Sequence, residues 1–322
     1  MAVKGAIIRL LTEASGGCTV LGMLKLSQLT ALFPTEEACQ EFLTKHRWPN
    51  GVTCPRCGNA KVYALKKRPF HWQCHGCAQK GYRFSLITKT IFENTKYPLR
   101  TWFTVAFFML HSKKGMSALQ IKRMVFHDKA SYETVWYMCQ RIRAAMDNDE
   151  FRELMGIVEV DETYIGGKNK NRHGGGRGMM QRTGKRTISR DDKMPVIGAI
   201  SRKGSVVARA MAHVTGKNMR AFIKEVVSDK VSLVATDDHV GYRLLESEGV
   251  PHETVNHSEG EYVRGNVHTA NLDSFWSMLK RGVVGTYHQV SWNYLPLYLA
   301  EFSFRHNHRE DADMFGRLIA QC

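Results

Sequence analysis

A chain of 322 residues in which 43% are apolar has core material for two or three domains, which excludes a wholly disordered protein. Its 46 Lys and Arg against 30 Asp and Glu give +16 and a pI near 9.6, an excess that points to a polyanionic partner, nucleic acid first; a membrane surface or mere basic solvation are the alternatives for the motifs to decide. No apolar run approaches the roughly 18 residues that cross a bilayer, so a soluble protein without a membrane partner is expected.

In chain order, residues 1–34 form an N-terminal extension whose role the sequence does not reveal. Arg9 and Glu13 interrupt its apolar stretch and break the signal-peptide pattern, so a cytoplasmic, reducing setting is expected. There, eight cysteines speak for metal binding by those paired at short spacing rather than for disulfides. FPTEEACQEFLTKHRWPNG reads as a short helix opened by Thr35, with Glu36 and Glu37 in its first turn, and ended before Pro49. It leads into a zinc ribbon over 35–95. Cys54 and Cys57 form CPRC, Cys74 and Cys77 form CHGC, and the pairs stand 16 residues apart. Four thiolates so spaced fit tetrahedral zinc, and Val62, Tyr63, Phe70 and Trp72 between them favour hairpins. Cys18, Cys39, Cys139 and Cys322 have no partner at metal spacing, and His71 and His75 flank a shell already filled.

Residues 96–150 turn helical. Pro98 starts a helix whose Trp102, Val105, Ala106 and Leu110 recur at helical spacing. A short helix with Leu119, Ile121 and Met124 follows, then a turn near His127-Asp128 and a helix opened by Ser131, the order of a helix-turn-helix. Such pairs also serve as plain packing; the surrounding charge favours DNA, with Lys129, Tyr132 and Arg141 as candidates to reach bases.

Beyond residue 151 short apolar strands alternate with helices: strands at 157–165, about 195–201, 205–212 and 231–236, and a helix from about 216. Within VEVDETYIGG, Glu159, Asp161 and Thr163 share one strand face, opposite Val158 and Val160. Carboxylates on a strand otherwise fit for burial need cations, hydrogen bonds or a metal. VSLVATD likewise ends on Asp237 after an apolar run, and Asp273 stands in HTANLDSFW. Acids drawn together from separate elements bind Mg²⁺ or Mn²⁺, and two such ions activate water and stabilise the leaving oxygen in phosphodiester cleavage. Glu162 and Asp238 read as ordinary strand and turn acids, and Phe275 and Trp276 as core packing. The insertion 168–193 holds nine cations (Lys168, Lys170, Arg172, Arg177, Arg182, Lys185, Arg186, Arg190, Lys193) against Asp191 and Asp192, so nine minus two gives +7. It reads as an arm that orders on phosphates, or else as a solvated loop.

Together, CPRC…CHGC, VEVDETYIGG, the basic arm followed by PVIGAI, TDDHVGY and HTANLDSFWSMLKRGVVGTYHQVS…YLAEFSFRHNHR resemble the zinc-ribbon DDE transposases of bacterial insertion sequences, the ISXO2-like group related to Merlin elements. The resemblance covers about residues 35–310. It implies an α/β fold, a ribonuclease H-like mixed sheet with flanking helices over 151–315, preceded by the ribbon and the helix-turn-helix. It also implies a homo-oligomer that binds transposon ends, hydrolyses them with two Mg²⁺ or Mn²⁺ ions and transfers the 3′ ends into target DNA in the bacterial cytoplasm, at the nucleoid. Residue by residue, Asp161 and Asp237 match the first two catalytic acids; Asp273 stands where the family usually has glutamate and Ala270 where it has asparagine. Lys280, seven residues after Asp273 on one helix face, matches an active-site lysine that grips a DNA phosphate, with Arg281 beside it. His268 opens the same motif, either to orient a phosphate or a metal ligand or to cap and pack. Two other readings stand beside it: a catalytically decayed DNA-binding relative, and a nuclease of the same fold without strand transfer.

Overall fold

The structure is a computed structural model that describes residues 24–78, 80–147, 153–166, 193–202, 204–255, 263–265 and 267–322. It divides into two compact units, one from residues 1–149 with 308–322 and one from residues 150–307. Among the described residues, no helix is long and apolar enough to cross a membrane.

The first unit opens with α1 (Leu26–Leu32) and α2 (Glu36–Arg47). Thr35 starts α2 as expected, its hydroxyl accepting from the Ala38 amide, and the order of acids in the first turn and bases in the last suits the helix dipole. Three short strands, β1 (Val62–Ala64), β2 (His71–Cys74) and β3 (Tyr82–Ser85), pair antiparallel in that order. Register puts Val62, Trp72, Cys74, Tyr82 and Phe84 on one face of this ribbon, where they pack with Trp48.

Helices α3 (Leu99–His111), α4 (Ala118–Phe126) and α5 (Tyr132–Met146) follow. Glu36 reaches from α2 to the start of α3, where its carboxylate accepts the Leu99 and Arg100 amides at 2.7 and 3.1 Å. α3 buries more than a stripe: Leu99, Phe103, Phe107 and Met109 join Trp102, Val105, Ala106 and Leu110, so it is a central rather than a surface helix. Ser117 and Ser131 cap α4 and α5, and the turn between them, near His127-Asp128 as expected, runs through the left-handed region at both residues. On α4 the core takes Ala118, Ile121 and Phe126, while Leu119 and Met124 are more than two-fifths exposed. The last helix, α9 (Met314–Ala320), also belongs here. Phe315 packs against Phe33, Phe42 and Phe103, so residues 308–315, which the sequence reading joins to the catalytic domain, lie with the first unit.

The second unit is a five-stranded mixed sheet. Strands β4 (Ile157–Ile165), β5 (Met194–Ser201) and β6 (Val206–Ala210) form an antiparallel meander, and β7 (Leu233–Asp237) and β8 (His252–Val255) add in parallel on the other side of β4. The order β6-β5-β4-β7-β8 is ribonuclease H-like. Alternation along β4 serves two cores: Val158 and Val160 meet Met219, Phe222 and Ile223 of α6 (Gly216–Val226), and Ile165 meets the core built by α7 (Ala270–Gly282) and α8 (Leu295–Asn307). Asn307 at the end of α8 pairs the outer edge of the sheet: its side chain accepts from the Val206 amide and donates to the Val206 carbonyl. That pairing occupies backbone groups an edge strand would otherwise leave open.

Candidate functional site

The thiols and the acids are gathered in different ways. In the ribbon, Cys54, Cys57, Cys74 and Cys77 bring their sulfurs within 4.8 Å of one another, the one such group of three or more candidate ligands among the described residues. Cys54 and Cys77 stand 3.9 Å apart and Cys57 and Cys74 3.7 Å. A tetrahedral ion with zinc–sulfur bonds of ~2.3 Å requires edges of ~3.8 Å, so the geometry fits zinc. The knuckle is made locally: Gly58, at a left-handed φ of 71°, donates its amide to the Cys54 carbonyl, and the Gly76 amide donates to the Cys74 sulfur. Burial opposes ionisation of Cys54, yet the amides of Arg56 and Cys57 and the neighbouring thiols bring it down to about 7. Burial and the crowded sulfurs push Cys77 up to about 12, as expected of thiols clustered without their cation. His71 Nδ1 and His75 Nε2 are engaged by the Pro69 carbonyl and the Gln73 amide, which leaves the four-sulfur set as read from the sequence.

The acids come from three elements. Asp161 lies mid-strand on β4, Asp237 ends β7, and Asp273 sits in the first turn of α7. The parallel pairing Glu159↔Ala235, carried two residues on, sets Asp161 beside Asp237. Burial raises Asp161 to about 7, and the charges of Glu162, Asp237 and Asp273 add to the rise. Such mutual repulsion calls for a cation. The three do not close to within 4.8 Å as the sulfurs do. An open set of carboxylates suits hard ions that keep water and substrate oxygens among their ligands. Asp237 is held by an Asx-type turn, its Oδ1 accepting from the His239 amide at 3.1 Å, and the Thr269 hydroxyl reaches Asp273 Oδ2 at 3.4 Å. Lys280 and Arg281 are exposed further along α7.

Four residues around these acids were read from the sequence as ordinary strand acids or core, or not singled out. Trp276 is packing, as expected, but its Nε1 also donates to Asp161 Oδ2 at 3.1 Å. Its ring lies so close to β5 that a Cβ on Gly198 would stand 2.6 Å from it. The glycine of PVIGAI therefore makes room for the indole that holds Asp161. Glu162, pointing to the other face of β4, accepts the Tyr242 hydroxyl at 2.7 Å and ties VEVDET to TDDHVGY; burial raises its carboxyl while the tyrosine hydrogen bond opposes the rise. Glu159 is fully buried and takes donors from α7 and from Arg202. Period two alone places Glu159 with Asp161; it could not show what the carboxylate would meet.

Other expected contacts fall differently. Ala270 is exposed and carries no hydrogen-bonding side chain, whereas Asn271 beside it donates its side-chain amide to Glu159 Oε1 at 2.8 Å. His268 Nδ1 lies 3.2 Å from Glu159 Oε1 and 3.3 Å from the Ala270 amide, contacts that fit the capping and packing alternative at the start of α7. Lys129 and Tyr132 are exposed, whereas Arg141 donates to the Glu93 carbonyl and stacks on Trp102 and Tyr137. Lys168, Lys170, Arg172, Arg177, Lys185 and Arg186 lie outside the described residues.

Known families match both halves of this arrangement. A model described as a transposase zinc-ribbon domain matches residues 34–80, and one described as an ISXO2-like transposase domain matches residues 153–307. An uncharacterized protein in transposable element ISH50 of Halobacterium salinarum is 29% identical over 284 residues, covering 85% of this chain and 91% of that protein. A cryoEM structure of the simian T-cell lymphotropic virus intasome in complex with the PP2A regulatory subunit B56 gamma shares 13% identity over 55% of this chain and 63% of its own, with a TM-score of 0.27, a likeness too slight to carry an argument. The first family match spans both thiol pairs and the second all three acids, so the chain carries a transposase zinc-ribbon domain followed by an ISXO2-like DDE transposase domain.

Proposed function

We propose that this transposase binds the terminal inverted repeats of its insertion sequence, cleaves at the ends by Mg²⁺- or Mn²⁺-dependent phosphodiester hydrolysis, and joins the freed 3′ ends to target DNA as a homo-oligomer in the bacterial cytoplasm. The observation that carries this reading is the convergence of Asp161, Asp237 and Asp273, with Asp161 raised to about 7 by burial and by its neighbours' charges. Those three carboxylates would hold the ions, which supply activated water and neutralise charge at the scissile phosphate.

The chain's own part is to bind and orient DNA. Exposed Lys280 and Arg281 meet backbone phosphate on the helix that carries Asp273, lysine as a point charge and arginine as a fork. The +7 of segment 168–193, through Lys168, Lys170, Arg172, Arg177, Lys185 and Arg186, supports further phosphate contacts. The ribbon, with structural zinc on its four thiolates, and the helix pair of 96–150 supply recognition, and 151–315 supplies the chemistry.

One departure favours a second reading. Asp273 is a methylene shorter than the usual glutamate, which fits a decayed enzyme that only binds DNA; a nuclease without joining is the third reading. The test is cleavage and joining of a labelled duplex carrying the element's terminal repeat, in Mg²⁺ and in Mn²⁺, by wild type, Asp161→Ala, Asp273→Glu and Asp273→Asn. Cleavage and joining by wild type, lost in Asp161→Ala and Asp273→Asn with repeat binding intact, supports the transposase. Activity only in Asp273→Glu supports the decayed binder, and cleavage without joined product supports the nuclease.

A further inference from the structure

We infer that Glu159 is a positioning residue that clamps the helix carrying Asp273 to the strand carrying Asp161. The inference rests on the reading of these acids as the catalytic set. Glu159 has no exposed surface. Its Oε2 accepts the Asn271 and Leu272 amides at 2.9 and 3.2 Å, and its Oε1 accepts Asn271 Nδ2 at 2.8 Å and Arg202 Nε at 3.0 Å. His268 Nδ1 adds a contact at 3.2 Å.

The geometry explains why a carboxylate stands there. The first amides of a helix have no partner within it, and Thr269 makes no side-chain cap for α7. Glu159 supplies that cap from a different element, 112 residues earlier in the chain. The helix N-terminus favours negative charge, and Arg202 adds a cation, so the cost of burying the group is offset by contacts that all run to one neighbourhood. Glu159 shares its strand face with Asp161, two residues on, and Asp273 directly follows the two residues whose amides it holds. One side chain thereby fixes both ends of the link between the two acids. The first acid of VEVDET thus serves the third acid of the site rather than the substrate.

Glutamine at this position keeps the size but offers one oxygen where two are used, so either the α7 amides or the Arg202 and Asn271 side-chain donors face an NH₂ group. For full-length Glu159→Gln, cleavage of the terminal-repeat duplex should fall about 10- to 100-fold, the scale of a small misplacement of reacting groups, with a several-fold higher Mg²⁺ midpoint and with duplex affinity and zinc content unchanged. Hydrogen exchange reads the clamp without activity: the Asn271 and Leu272 amides should lose protection while β4 and β7 keep theirs, whereas general destabilisation would speed exchange throughout the sheet. Wild-type exchange at these amides, or a wild-type rate and Mg²⁺ midpoint, overturns the clamp. Should Glu159→Gln not fold, Asn271→Ala removes a single donor; faster exchange at the start of α7 with a raised midpoint is then expected, and no change in either overturns it. If wild type itself cleaves nothing, the transposase reading fails while the exchange comparison still decides the clamp.

Discussion

The four sulfurs of the ribbon and the three carboxylates of the sheet are both clusters of anionic ligands, yet they are assembled by opposite means. The sulfurs come from one segment of 24 residues, Cys54 to Cys77, and two tight knuckles close them to within 4.8 Å. The carboxylates come from β4, β7 and α7, span residues 161 to 273, and stay open. A structural ion wants a closed, preformed shell, which local backbone turns can build; a site that must admit a substrate oxygen, as proposed for the acids, needs vacant positions and is held by packing around it. What differs is therefore what holds each cluster: backbone turns in the first, and Glu159, Trp276 and Tyr242 in the second.

The largest break should come from the closed centre. Chelation, or Cys74→Ser, should unfold the ribbon, since structural zinc supplies on the order of 10 kcal/mol or more to such small domains; metal analysis with limited proteolysis would show it, with exchange in the sheet of residues 150–307 unchanged. At the open centre, Asp161→Asn should lower end cleavage by about 10³-fold or more, as loss of one member of a catalytic unit does, while terminal-repeat affinity stays put. A fall in affinity of the same size would mean that Asp161 serves binding.

Smaller effects sharpen the contrast. Asp161 ionises near 7 in the folded protein against 3.8 unfolded, so its stabilising contribution is complete below about pH 4 and is lost as pH rises through 7. Without divalent ions, denaturant titration should show up to about 4 kcal/mol of such loss, at 1.36 kcal/mol per pH unit. Asp161→Asn should flatten the curve, and Mn²⁺ should restore stability to wild type alone. Gly198→Ala should cost about 1–3 kcal/mol by driving a methyl into the Trp276 ring. Trp276→Phe removes the hydrogen bond to Asp161 together with the ring edge that packs on Gly198, for about 1–3 kcal/mol.

Much of this was legible in the chain because the signals are short-range. The spacing CPRC…CHGC dictates a four-thiolate centre, the Thr35 and Ser131 hydroxyls dictate helix starts, and period two on 157–165 dictates a strand with Glu159 and Asp161 on one face. Asp161, Asp237 and Asp273 likewise stand in short motifs, as the acids proposed to hold the ions. Only tertiary structure decided what surrounds them. That Glu159 is a helix cap depends on where α7 lands, that Gly198 must lack a side chain depends on Trp276 crossing β5, and that Leu119 and Met124 are exposed depends on which face of α4 its neighbours cover. Such facts arise from contacts between residues far apart in the chain, whose partners no local spacing records, whereas knuckles, caps and strand alternation are set by the backbone geometry of a few consecutive residues.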